Sequence, residues 1–150
     1  WSALTNPTTT LALTFDADGQ HDPQDILPAL RLIKQGKADI VVGSRTTSRL
    51  GHMPWDRKII NWISNIVTWL LFGIWTTDSQ SGFRAFSKKS LNFIQIKTDG
   101  MEVSSEIFAE VKRHQLKVAE VPIHVIYTKY SRHKGQSNLN AVNVFGLLLL

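Results

Sequence analysis

The apolar run Leu11-Ala12-Leu13-Thr14-Phe15 stops abruptly at Asp16, and this feature constrains the fold more than any other. A short continuous run with a polar stop reads as a buried strand. Asp22 followed by Pro23 reads as an N-cap and first helical position, with Asp25 at the capping-box site. Pro28 interrupts that turn, so the main helix is expected to restart there, run to the vicinity of Gln35 and close at Gly36. Asp39-Ile40-Val41-Val42-Gly43 is a second buried strand. Strand, helix, strand is a βαβ unit, which predicts an α/β fold with these strands paired in parallel. Ligands of such sheets bind beyond the carboxyl ends of the strands, where Asp16-Ala17-Asp18 and Gly43-Ser44-Arg45 both fall.

Downstream, Phe83-Arg84-Ala85-Phe86 reads as a short strand, and Ser87 caps a brief helix. Val103, Ile107 and Val111 share one face of a helix running to His114, with Lys112 and Arg113 near its end. Val118 to Tyr127 alternates in part and reads as a strand. A basic loop, Tyr130 to Ser137, follows, and a last apolar helix is expected from about Asn138. Both ends look cut: there is no initiator Met, and the chain closes on Leu147-Leu148-Leu149-Leu150. The start lacks the basic and apolar stretches of a signal peptide.

The segment from Ile59 to Thr77 is uncharged and rich in Trp, Ile and Leu. Its length approaches the ~20 residues of a bilayer span. Asn61, Ser64, Asn65 and Thr68 recur at three- and four-residue spacing, however, so one helical face is polar. Trp62, Trp69 and Trp75 are spread along the segment instead of gathering at its ends. A helix lying against a membrane interface and an ordinary core-facing amphipathic helix both fit this pattern better than a span does.

Charge and cysteine content narrow the chemistry. Seventeen Lys and Arg against twelve Asp and Glu give a net charge of +5, which attracts phosphates of nucleic acid, lipid or substrate alike. The absence of cysteine excludes disulfides, Cys-type zinc sites and thiol catalysis. Asp16 and Asp18 stand two apart at a strand end, where alternation aims both side chains the same way. Carboxylates so close repel unless a cation lies between them, and hard divalent ions take such oxygen ligands. Gln20 adds a carbonyl. A calcium loop does not fit, because Gly19 is fourth from Asp16 and no Glu stands at the twelfth position. Arg45 can clamp a phosphate beside the small Ser44 and Gly43. In Asp78-Ser79-Gln80-Ser81-Gly82-Phe83-Arg84, Gly82 permits a tight backbone path, Arg84 offers a fork of donors and Asp78 can orient it or a substrate hydroxyl. The loop Arg132-His133-Lys134-Gly135-Gln136-Ser137 can wrap a phosphate. Nucleic acid is the competing use of that loop, but no aromatic interleaving or reading module accompanies it.

The string from Leu13 to Pro23, with Asp16-Ala17-Asp18-Gly19-Gln20-His21 at its centre, resembles the Asp-x-Asp segment of family 2 glycosyltransferases, and Asp78 to Arg84 resembles their second signature. The likeness is to the polyprenyl-phosphate branch, which includes dolichol-phosphate mannosyltransferase, and runs from Leu11 to about Asn140. It implies a GT-A-type, Rossmann-like fold: a mixed, mainly parallel sheet with flanking helices. Residues 1–140 would form a partial domain lacking its N-terminal nucleotide-binding portion, and 141–150 would start an apolar C-terminal helix.

That resemblance implies Mg²⁺ or Mn²⁺ at Asp16, Asp18 and Gln20, with the donor diphosphate at Ser44 and Arg45. It implies a polyprenyl-phosphate acceptor at Arg57, Ser81, Gly82, Arg84, Arg132, Lys134 and Ser137, and a reaction centre at Asp78 and Asp18. The family has a Lys where this chain has Asn138, and an acidic residue at Glu106. The implied reaction is inverting transfer of a sugar from a nucleotide-diphosphate sugar to polyprenyl phosphate, at the cytoplasmic face of a membrane, alone or beside a transmembrane partner or domain. Since a phosphate monoester has a second pKa near ~6, its attacking oxygen is ionised without a general base. A catalytically inactive membrane-binding fragment and a basic nucleic-acid-binding domain are the competing readings; the transferase reading involves no nucleic acid.

Overall fold

A computed structural model of the chain describes residues 8–16, 21–46, 55–98 and 102–125, with the backbone alone at 56 and 57. Its elements are strand β1 (Leu11–Thr14), a 3₁₀ turn (Pro23–Asp25), helix α1 (Ile26–Lys34), β2 (Ile40–Ser44), α2 (Trp55–Phe72), β3 (Arg84–Ser87), α3 (Lys88–Phe93), α4 (Val103–Arg113) and β4 (Val118–Pro122). The strands form one sheet in the order β1-β3-β2-β4.

The first two strands do run the same way, yet they are not neighbours. β3 lies between them, antiparallel to both, and β4 pairs in parallel with β2. Local pattern marks a strand's direction from its connection, but a later strand can insert between two earlier ones without leaving any local sign. The sheet is thus mixed, with three strands co-directional and one reversed.

Local chemistry accounts for most boundaries. The Asp22 side chain accepts from the Gln24 N–H, as its N-cap position predicts. The helix starts at Ile26 and not at Pro28, because a proline within the first turn removes only an N–H that has no helical partner. Gly36, at φ +67°, closes the helix in the left-handed region. Ser87 caps α3 by accepting from the Ser90 N–H. Asp25 makes no capping box; its carboxylate instead accepts from the His124 backbone N–H and faces the His124 ring, tying α1 to the chain after β4.

Strand alternation divides the core between the two faces of the sheet. Val41, Ala85 and Val121 pack with Phe83, Ile123 and the α1 residues Ala29 and Ile33. Ala12, Ile40 and Phe86 pack on the other face with Leu91, Ile94, Ile107 and Val111 from α3, α4 and their surroundings.

Helix α2 is inverted relative to an ordinary surface helix. Asn61, Asn65 and Thr68 are buried, whereas Trp55, Ile59, Trp62, Ile63, Trp69 and Leu70 are exposed. The core-facing expectation is therefore overturned: the polar stripe turns inward because it has backbone partners there, described below. No helix among the described residues is long and apolar enough to cross a membrane. The basic loop and the apolar C-terminal segment lie outside the described residues, as does the end of the strand expected to reach Tyr127.

Candidate functional site

The register brings the two signature segments together. Thr14 pairs with Arg84 on one side of β3, and Val42 pairs with Arg84 on the other. The carboxyl ends of β1 and β2 therefore flank the start of β3. Asp16 follows β1, Ser44 and Arg45 end β2, and Gly82-Phe83-Arg84 enter β3 between them.

Thr14 Oγ1 donates to the Gly82 carbonyl at 3.1 Å. Gly82 lies so close to Asp16 that a Cβ there would fall 2.5 Å from Asp16 Oδ1 and 2.8 Å from Oδ2. On its other side Asp16 Oδ2 is 3.5 Å from His21 Nε2, and the His21 ring leans on Phe83 with centroids 5.9 Å apart. The hydrogen bond to His21 holds the Asp16 carboxyl below its ordinary pKa; partial burial opposes this, and the charges of His21, Arg45 and Arg84 reinforce it. The side chain is 60% exposed, so an ionised carboxylate faces solvent at the strand end.

Asp78 is fully buried. Its side chain has no exposed surface, and Arg45 takes both oxygens: Nε donates to Oδ2 at 2.7 Å, Nη2 to Oδ1 at 2.7 Å, and the Arg45 backbone N–H to Oδ2 at 3.0 Å. Such a forked pair fixes the guanidinium plane. Arg45 remains 25% exposed, so it presents charge outward while Asp78 holds it from within.

Ser81 and Arg84, expected to face an acceptor, are also buried. Arg84 Nη2 donates to the Ser79 carbonyl and to Ser104 Oγ, and its guanidinium lies over the Phe108 ring. Burial lowers its pKa to about 10 against the pull of Asp78 and Asp16, which leaves it charged at neutral pH. Ser81 Oγ accepts from the Phe83 N–H inside the turn. These groups shape the loop, while Asp16 and Arg45 keep exposed surface beside it.

The buried face of α2 pins the same loop. Asn61 Nδ2 and Asn65 Nδ2 both donate to the Thr77 carbonyl, at 3.0 and 2.8 Å, and Asn65 Oδ1 accepts from the Ser79 N–H. Glu120 on β4 accepts from Thr76 Oγ1, from the Thr77 N–H at 2.7 Å and from Thr77 Oγ1 at 3.1 Å. Ser44, expected at the donor phosphate, is fully buried, and its Oγ is hydrogen-bonded to Thr77 Oγ1 at 2.6 Å. Sequence reasoning assigned no role to Glu120 or His21. The available signal for Glu120 was a carboxylate inside an otherwise apolar strand.

A solvent-facing, ionised carboxylate is chemistry that suits a hard divalent cation, so Asp16 fits as one ligand. No group of three or more acidic or histidine side chains able to hold a metal occurs among the described residues. Asp18 and Gln20 lie outside them, as do the Arg57 side chain, Arg132, Lys134 and Ser137.

Residues 3–94 match the family described as glycosyl transferase family 2. The chain belongs to that family. Two archaeal relatives are similar over 93% of it: an uncharacterised protein of Methanocaldococcus jannaschii, 39% identical, and a UDP-N-acetylglucosamine–dolichyl-phosphate N-acetylglucosaminyltransferase of Methanococcus voltae, 40% identical. The chain spans 59% and 57% of their lengths. An undecaprenyl-phosphate mannosyltransferase of Micrococcus luteus is 28% identical over 84% of the chain and is spanned to 51% of its length. The mixed open sheet with flanking helices is consistent with a partial GT-A-type domain of the family 2 glycosyltransferases.

Proposed function

We propose that the protein containing this chain transfers a sugar, with inversion, from a nucleotide-diphosphate sugar to a polyprenyl phosphate at the cytoplasmic surface of a membrane. The observation that carries this reading is the convergence of Asp16, Gly82 and the Arg45–Asp78 pair on one sheet edge. The names of the Methanococcus and Micrococcus relatives supply the acceptor class.

In this reading Asp16, Asp18 and Gln20 hold Mg²⁺ or Mn²⁺. A cation there supplies charge neutralisation to the leaving diphosphate. Arg45, held by Asp78, faces the diphosphate and does not need to reorganise as charge develops. Arg57, Arg132, Lys134 and Ser137 hold the acceptor phosphate for in-line attack by an oxygen already ionised at neutral pH. Asp78 and Arg84, both buried, keep the loop and the guanidinium in place. The exposed apolar side of α2 rests on the lipid surface, where Trp and Leu partition favourably and the net positive charge favours anionic headgroups.

The test is calorimetric titration of UDP- and GDP-sugars, with Mn²⁺ and with EDTA, into the wild-type chain, Asp16→Ala and Asp18→Ala. Metal-dependent binding lost in both variants supports the donor site and names the nucleotide. A folded wild-type sample that binds neither nucleotide sugar sinks the reading for this chain and leaves the inactive membrane-binding fragment.

A further inference from the structure

We infer that Glu120 is a positioning residue of this site: it sets the Arg45 guanidinium by fixing the two residues that precede Asp78. The inference rests on Arg45 being the diphosphate-facing group. Among the described residues, the three side-chain hydrogen bonds accepted by Glu120 come from Thr76 and Thr77. Thr76 Oγ1 in turn accepts from the Asp78 N–H at 3.3 Å, and Thr77 Oγ1 meets Ser44 Oγ, next to Arg45 in sequence, at 2.6 Å. One carboxylate on β4 thus reaches both sides of the Arg45–Asp78 pair, through backbone and hydroxyls that lie against it.

The geometry distinguishes substitutions. Glu120→Ala leaves the Thr77 N–H and the Thr76 hydroxyl without their acceptor. Glu120→Gln keeps one carbonyl oxygen for both, and the Thr77 hydroxyl can turn to donate to Ser44 while accepting from the new amide. Rescue by Gln therefore separates positioning through these contacts from a general need for negative charge. Thr77→Val removes the hydroxyl between Glu120 and Ser44 while keeping the side-chain shape.

The experiment is exchange of the Arg45 Nε–H with solvent, read by ¹⁵N-edited NMR beside the backbone amides of β2, in wild type, Glu120→Ala, Glu120→Gln and Thr77→Val. Glu120→Ala is expected to speed Arg45 Nε–H exchange about tenfold more than it speeds the β2 amides, a local opening and not a global one. Glu120→Gln should restore most of the protection, and Thr77→Val should show a smaller loss of the same kind. Equal changes at Arg45 and β2, or none at Arg45, overturn the inference. If Glu120→Ala does not fold, Thr77→Val decides on the same criterion. Titration with UDP or GDP and Mn²⁺ runs alongside. A wild type that binds neither nucleotide counts against the proposed function, while the exchange data still decide whether Glu120 positions Arg45.

Discussion

Gly82 has no room for a side chain because the Asp16 carboxylate occupies the space: the nearest oxygen is 2.5 Å from where a Cβ would sit. One signature segment is therefore the wall against which the other's carboxylate rests. Gly82→Ala should rotate the Asp16 side chain away, since that side chain is short and largely exposed, and the fold should survive. Mn²⁺-dependent nucleotide affinity should fall by roughly tenfold, the scale expected when the surroundings of a metal ligand are disturbed. Calorimetry beside a thermal melt checks this. An unchanged affinity would mean that Asp16 does not ligate from this orientation.

The Arg45–Asp78 pair should behave as a buried ion pair whose halves are unequal. Removing Arg45 leaves a fully buried carboxylate that, among the described residues, keeps the backbone N–H of residue 45 as its hydrogen-bond partner. Arg45→Ala should destabilise by about 3 kcal/mol, the lower end for breaking such a pair because Arg45 itself is partly hydrated. Arg45→Met combined with Asp78→Leu should recover part of that loss while abolishing nucleotide binding. Urea unfolding measures the first quantity and titration the second. A double variant less stable than Arg45→Ala would count against burial of an unpaired charge as the cause.

Most element types were legible because their signals are local. The polar stop at Asp16, the cap at Asp22, the glycine at 36 and the cap at Ser87 each act within a few residues, and the described structure uses each of them. What depended on distant partners was not legible. The insertion of β3 between β1 and β2 links residues about seventy positions apart, such as Thr14 and Arg84. The motif drew attention to Asp78, but its burial under Arg45 was not legible. A motif gives residue identity, and whether the side chain faces solvent is decided by Asn61 and Asn65 on α2 and Glu120 on β4, two other places in the chain.

The inversion of α2 makes stability and membrane binding separable on one helix. Trp62 and Leu70 are 62% and 67% exposed, so Trp62→Glu with Leu70→Glu should change unfolding free energy by no more than about 0.5 kcal/mol per site. Their loss should reduce partitioning onto anionic phospholipid vesicles by at least about tenfold, because each large apolar side chain contributes ~1.5–3 kcal/mol when buried in an apolar phase. Asn65→Leu should do the opposite. It leaves the buried Ser79 N–H without its acceptor, costing about 1–3 kcal/mol, and should leave vesicle binding intact. Co-sedimentation and urea unfolding of the two variants test both halves. Wild-type vesicle binding that survives both glutamates would move the membrane contact off this face.

Glu106 offers a pH test away from the ion pair. Its carboxylate, in the first turn of α4, accepts from the Lys97 N–H, the Thr98 N–H and the Thr98 hydroxyl at 2.9–3.1 Å. Burial acts to raise its pKa, but the Thr98 and Lys97 donors together outweigh it and hold the value below the ordinary 4.5. A carboxyl whose folded pKa is depressed contributes stability that is fully present above its unfolded value and disappears as pH falls through the folded one. Glu106→Gln should therefore lower the melting temperature at pH 7, where the ionised acceptor is lost. The gap to wild type should hold down to about pH 5, begin to narrow near 4.5 and shrink further below it, as wild-type Glu106 protonates. Melts of both proteins from pH 7 to 3 measure this. A gap that stays constant across that range would assign the loss to packing of the amide and not to the charge that anchors residues 97 and 98.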